Sequence, residues 1–287
     1  MKEKVGIIDI GGGMRDIYGA GIFDYCLQEG ITFDLGVGVS AGSANLASFL
    51  AQQRGRNHRF YTDYSFRKEY MSFWRFLRHR NAVDLDYVYG TLSNADGEDP
   101  LDYETLHKNP MDLIVVATNA ETGKPHYFLK KEIRQDHYDI FKASSALPHF
   151  CRPVTLNGVA YYDGAVSDCI PLEKAFSEGC DRVILILTKP EDTIRKPDRD
   201  RRIARHIQQE YPLAAKAFCV RAEIYNQKVE LAKRYREEGK LLLLSPKDTF
   251  GVDTLRRDKQ SLEKLYEAGW HDAEQISSFL SCREGRR

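Results

Sequence analysis

The stretch FDLGVGVSAGSANLASFL, residues 33–50, carries apolar residues into a Gly-x-Ser-x-Gly and then directly into a helix-forming run. It sets Ser40 where a buried strand must reverse into a helix, between Gly38 and Gly42. A serine on so sharp a turn is presented as a nucleophile, beside the positive end of the helix dipole. Small residues suit any strand-to-helix turn, so this reading requires a base, an oxyanion site and a matching fold elsewhere in the chain.

Runs of the same kind outline the fold. Val, Ile and Leu recur at 5–10, 33–39, 113–117, 183–187 and 241–244 with little alternation, the pattern of strands buried on both faces of a parallel sheet. Helical segments lie between them. Residues 16–30 have Asp16 as a candidate N-cap, apolar residues at helical spacing and Gly30 as a stop. Residues 171–181 open with Pro171 at the first helical position and end at Gly179. Two hairpin signals, Thr122-Gly123 and Asn157-Gly158, interrupt the alternation. The last third is mostly helical and charged, and no repeat is present. An α/β fold with a mostly parallel sheet and a helical C-terminal extension is expected.

Hydrophobic residues make up 42% of the 287 and charged residues 29%, as in a globular chain with a sizeable core. The 42 basic and 42 acidic residues leave a formal net charge of zero. No global field therefore draws in nucleic acid or anionic membrane, and any such attraction has to be local. The cysteines (Cys26, Cys151, Cys169, Cys180, Cys219, Cys282) form no CxxC, and HExxH is absent, so neither a disulfide framework nor a metal-ligand pattern is present. Reduced thiols are expected, and with them a cytoplasmic location. The run VGIIDI, broken at Asp9, is too short for a signal segment or a membrane span and reads as the first strand.

IGGGMRD, residues 10–16, ends that strand and opens the first helix. Consecutive glycines let backbone N–H groups approach a ligand, either as a phosphate cradle or as an oxyanion hole. A dinucleotide fingerprint fails because Asp16 holds its third glycine position, and the Gly-Lys-Ser/Thr of a Walker loop is absent. In YYDGAVSD, Asp163 stands at a strand end on a turn that Gly164 makes possible.

Taken in order, Gly11-Gly12-Gly13-Met14-Arg15, Gly38-Val39-Ser40-Ala41-Gly42 and Asp163-Gly164-Ala165 resemble the motifs of the patatin-like phospholipases. The resemblance extends over residues 143–175 and covers the first 190 residues as a catalytic core. Residues 211–227 and 265–273, within the extension over 191–287, are similar to a bacterial subgroup; the extension is expected to pack on the core as one structural domain. The resemblance implies a three-layer α/β/α sandwich and a Ser-Asp dyad, with no metal and no cofactor. Ser40 would attack an acyl ester carbonyl, and Asp163 would accept its proton and later activate water. The N–H groups of Gly11, Gly12 and Gly13 would hold the oxyanion, supported by Arg15, Gly38, Gly42, Gly164 and Ala165. The substrate implied is a phospholipid or lysophospholipid. A soluble carboxylesterase or thioesterase of the same fold, and a lipid-binding protein of weak activity, stay open beside it.

An aspartate with an ordinary pKa near ~3.9 is a poor base, so Asp163 is expected to be partly desolvated. Two positions depart from the family's usual loop: Ile10 replaces an acidic residue, and Asp16 replaces the glycine after the arginine. Asp16 is expected to cap the helix, and its charge to oppose the developing oxyanion.

A Ser-Asp-His order would need a histidine after Asp163. Only His206 and His271 follow, both in charged helical segments without a strand-end loop. His149 precedes the aspartate and is expected in a pocket wall. Residues 59–80 are dense in aromatic and basic side chains, Phe73 and Trp74 among them. They read equally as a lipid-facing cap that brings peripheral membrane contact and as a helix packing its rings into the core. The basic run 195–206 reads as a solvated face, or as a site for anionic head groups or a partner protein. No nucleic-acid-binding motif accompanies either segment, and the oligomeric state is left open.

Overall fold

Strands that are apolar on both faces need cover on both, and the computed structural model, which describes residues 3–71 and 83–281, supplies it. Among these residues the strands are β1 (Val5–Asp9), β2 (Leu35–Val39), β3 (Asp112–Asn119), β4 (Pro125–Leu129), β5 (Val154–Leu156), β6 (Val159–Asp163), β7 (Arg182–Ile186) and β8 (Leu241–Leu244). They form one sheet in the order β5-β6-β3-β2-β1-β7-β8, with β4 paired to β3. From β3 to β8 the neighbours run parallel, while β4, β5 and β6 are antiparallel additions beside β3. Asn157 and Gly158 join β5 to β6 at φ 50° and 81°, the positive pair that a type I′ turn demands. At the other hairpin the Gly123 N–H donates to the Asn119 carbonyl at 2.8 Å.

Among the described residues the α-helices include α1 (Ile17–Gln28), α2 (Ala41–Leu50), α3 (Arg56–Thr62), α4 (Tyr103–Lys108) and α5 (Asp139–Ser145). They continue with α6 (Leu172–Ser177), α7 (Asp198–Ile207), α8 (Pro212–Glu237), α9 (Lys259–Asp272) and α10 (Glu274–Ser281). Pro171 stands at the N-cap of α6 and not, as the sequence suggests, inside its first turn. Successive strand residues face opposite sides. Ile7, Val115 and Ile184 join a core with Phe23 of α1, Leu46 of α2 and Leu265 of α9. Ile8, Ile114 and Leu185 join another with Leu172 of α6 and Tyr225 of α8. Each such side chain contributes roughly 1.5–3 kcal/mol by leaving water. The result is the expected three-layer sandwich.

The C-terminal segment is built into this sandwich. β8 pairs with β7, so residues beyond 190 supply a strand of the sheet as well as helices. α9 lies tightly on α1: a Cβ on Gly269 would meet the Tyr18 backbone, and one on Gly21 the Tyr266 backbone. Two hydrogen bonds fix the pair, from Tyr18 Oη to Asp272 at 2.7 Å and from Tyr266 Oη to Asp24 at 2.9 Å. Cys26, Cys151, Cys169 and Cys180 are buried free thiols and Cys219 is a partly exposed one; Cys282 lies outside the described residues. Among the described residues no helix is long and apolar enough to cross a membrane.

Candidate active site

Ser40 links β2 to α2 with φ 56° and ψ −131°, a conformation that costs an L-residue about 1–3 kcal/mol. Its neighbours hold it there. The Ser40 N–H donates to Ser144 Oγ at 2.9 Å, and Ser144 Oγ donates to the Val116 carbonyl at 2.7 Å. The Ser40 carbonyl accepts from the Ser43 N–H at 3.0 Å and the Ser43 hydroxyl at 2.6 Å. Gly38 and Gly42 are needed for close approach: a Cβ at either would run into the backbone of Ser43 or Asp9.

Asp163 closes β6. Its N–H donates to the Ala146 carbonyl at 3.0 Å, and its carbonyl accepts from Thr118 Oγ1 at 2.9 Å. The side chain accepts from the Ala165 N–H at 2.8 Å and faces Ser40 across the shared cavity wall. Gly164 lets the turn lie against the Val116 backbone. The residue is 3% exposed, and burial pushes its pKa from 3.8 up to about 6 against the pull of the Ser40 hydroxyl and the Ala165 N–H. A carboxyl so placed can take a proton from Ser40 near neutral pH.

Gly11, Gly12 and Gly13 all have positive φ, at 66°, 146° and 61°. They are not three equal donors. Gly11 is buried and its N–H donates to Asp9 Oδ1 at 3.0 Å, which corrects its expected place in the oxyanion hole. Gly12 and Gly13 are partly exposed, and their N–H groups meet no acceptor among the described residues. The loop is clamped from the far side of the chain. Thr188 Oγ1 donates to the Gly11 carbonyl at 2.7 Å, and the Met14 N–H to the Thr254 carbonyl at 3.0 Å. Arg15 is ion-paired with Asp253 and donates to Thr254 Oγ1 at 3.1 Å.

Asp16 makes no side-chain capping bond to α1, contrary to expectation. Its carboxyl is buried against that of Asp9, over a glycine: a Cβ on Gly19 would lie 2.7 Å from Asp9 Oδ2 and 2.8 Å from Asp16 Oδ1. Asp9 also accepts from Gly11 and, at 3.2 Å, from Asn45 Nδ2. Neither oxygen of Asp16 has a donor. Burial and the adjoining Asp9 therefore hold the Asp16 pKa well above 3.8, while Asp9 is raised to about 6. Two carboxyls buried side by side cannot both ionise cheaply, so the pair favours holding a proton. The charge expected to oppose an oxyanion is thereby disfavoured, and Asp16 borders neither cavity at Ser40.

Two cavities meet at Ser40 and Asp163. One is mainly apolar, walled by Phe60, Tyr61, Tyr70, Val88, Tyr89 and Phe141. Val88 and Tyr89 come from a π-helical turn over Tyr87–Leu92. The other, of about 240 Å³, runs past the glycine loop to Lys189, Arg195 and Arg199. The segment 59–80 thus supplies cavity-wall rings from its described part, whereas Phe73 and Trp74 lie outside the described residues. No histidine lines either cavity among the described residues. His149 stacks on His206 at 4.6 Å, so it is not the pocket-wall residue expected. His271 lies beside Glu274 at 3.5 Å.

The structure thus brings Ser40, Asp163 and the glycine loop together from three strand ends. Sequence reading missed Asp9, Asn45, Ser144 and Thr188, which hold the loop and the elbow. Only Asp9 left a signal, as a charge interrupting an apolar strand.

The patatin-like phospholipase family model matches residues 11–176, and a second model, a domain of unknown function (DUF6363), matches residues 211–280. The chain is 33% identical over 208 residues to the protein YjjU of Escherichia coli (strain K12), covering 70% of this chain. It spans 57% of the length of that relative. In fold it is similar to VipD from Legionella pneumophila, with a TM-score of 0.54 at 14% identity, over 97% of this chain and 67% of that one. With the glycine loop, the serine elbow and the Asp-Gly turn inside the matched residues and in one sheet, the chain belongs to the patatin-like phospholipase family.

Proposed function

We propose that the protein hydrolyses acyl esters of phospholipids or lysophospholipids through a dyad of Ser40 and Asp163. The observation that carries this reading is the placement of Ser40 and a buried Asp163 carboxyl together in the wall of an apolar cavity, with the glycine loop beside them. Ser40 Oγ attacks the acyl carbonyl while its proton passes to Asp163. The Gly12 and Gly13 N–H groups stabilise the oxyanion. Asp163 returns the proton to the departing alcohol, then takes one from the water that attacks the acyl-enzyme and passes it to Ser40 Oγ as the acyl group leaves. Phe60, Tyr61 and their neighbours receive the acyl chain.

A fluorophosphonate is expected to label Ser40 alone, and Ser40→Ala to abolish labelling and fatty-acid release. Asp163→Asn should approach the serine variant in severity, and the double variant should be barely worse, because residues acting as one unit are non-additive. Unlabelled wild-type protein, or full turnover by a folded Asp163→Asn, would overturn the assignment.

A further inference from the structure

The second cavity at Ser40 is of opposite character to the first. Arg15, Lys189, Arg195, Lys196, Arg199 and Arg221 line it against three carboxylates, Asp163, Asp200 and Asp253. Arg221 is held by Asp200 through bonds of 2.9 and 2.7 Å, and Arg15 by Asp253. Lys189 and Arg195 have no carboxylate partner among the described residues. Neighbouring bonds place both beside the loop or on a ring. Lys189 follows Thr188, whose hydroxyl is bonded to Gly11, so it stands next to the glycine loop. Arg195 lies on the Tyr225 ring at 3.4 Å, and Asn226 grips its N–H and carbonyl at 2.9 and 3.0 Å. Burial, Arg15 and Arg195 push the Lys189 ammonium down to about 8 against the pull of Asp253, which is already ion-paired to Arg15; a bound anion would relieve the remaining repulsion.

We propose that this cavity seats the phosphate of a net-anionic lipid head group, with Lys189 and Arg195 as specificity-determining residues. The inference rests on the hydrolase reading above. The acyl chain enters the aromatic cavity, the ester lies at Ser40, and the phosphate lies against the two unmatched cations. A head group with its own ammonium brings a cation into a site already rich in them, so zwitterionic lipids are discriminated against.

The test uses the full chain and dihexanoyl lipids kept below micelle formation, so that attraction to a charged surface plays no part. Fatty-acid release from dihexanoyl phosphatidic acid and phosphatidylglycerol is compared with release from dihexanoyl phosphatidylcholine. The kcat/KM ratio should favour the anionic lipids by about tenfold or more, and Lys189→Gln and Arg195→Gln should each lower it several-fold. Lys189→Arg should keep the preference. Lys240→Gln, at an exposed lysine beside Glu238, should leave it unchanged. A wild-type ratio near one, or a ratio indifferent to both glutamine variants, overturns the proposal. Inhibition by inorganic phosphate without any head-group preference also overturns it and assigns the cavity to free phosphate. Turnover of p-nitrophenyl butyrate and fluorophosphonate labelling separate the two readings. If both persist while the ratio is near one, only the head-group assignment falls; if both are absent, the hydrolase reading falls and takes this proposal with it.

Discussion

Ser40 is a strained residue held by named neighbours, and the strain is measurable. Ser40→Gly and Ser40→Ala both remove the hydroxyl, but only glycine reaches φ 56° without cost. The glycine variant should be about 1 kcal/mol more stable than the alanine variant; equal denaturation midpoints would show that the elbow stores no strain. Under the proposed dyad, Asp163 should set the pH dependence. Only its ionised form accepts the serine proton, so with its pKa raised to about 6, kcat/KM should climb as pH rises through that value and then level. A step that persists in a residually active Asp163→Asn variant would assign the titration to another group.

Among the elements, the turn from β1 into α1 buries two carboxyls that favour holding a proton. Asp9 reaches forward to the Gly11 N–H and sideways to Asn45 of α2, and the adjoining Asp16, when protonated, can supply a further donor. A carboxyl whose folded-state pKa is raised must hold a proton that the unfolded chain gives up. Its contribution is thus fully present below the unfolded pKa and declines as pH rises toward the folded value. Asp16→Asn offers an N–H to Asp9 at every pH. Its stability relative to the natural protein should therefore grow as pH rises above the ordinary carboxylate value of 3.8, as the difference in melting temperature reports. Asp16→Gly removes the donor and leaves Asp9 buried with fewer partners, so it should lower both melting temperature and turnover, the reverse of what a charged Asp16 would give.

At the scale of the whole molecule, the C-terminal segment and the candidate site are expected to unfold together. β8 extends the sheet from β7, and Asp253 and Thr254 clamp the glycine loop. Leu241→Ala, at a buried position far from Ser40 in sequence, should cost about 2–5 kcal/mol. Loss of fluorophosphonate labelling should coincide with a single thermal transition at the lowered temperature. Labelling that survives the melting of the C-terminal helices would make residues beyond 190 an independent unit.

Local rules made much of this protein legible in its sequence. Unbroken Val, Ile and Leu runs could only be strands covered on both faces, Asn157-Gly158 could turn tightly because both residues tolerate positive φ, and Gly38 and Gly42 marked an elbow at Ser40. Each depends on interactions within a few residues or on burial, which composition records. Tertiary structure alone decided the rest. Asp16 reads as a cap or a hostile charge until Asp9 and Gly19 are seen to bury it, which favours its protonated form. Gly11 reads as an oxyanion donor until Asp9 is seen to engage its N–H. Ser144 and Thr188 carry no mark of their role, because the partners they hold lie more than a hundred residues away. Which donors stay free, and which charges stay unmatched, is fixed only when distant segments meet and exclude water between them.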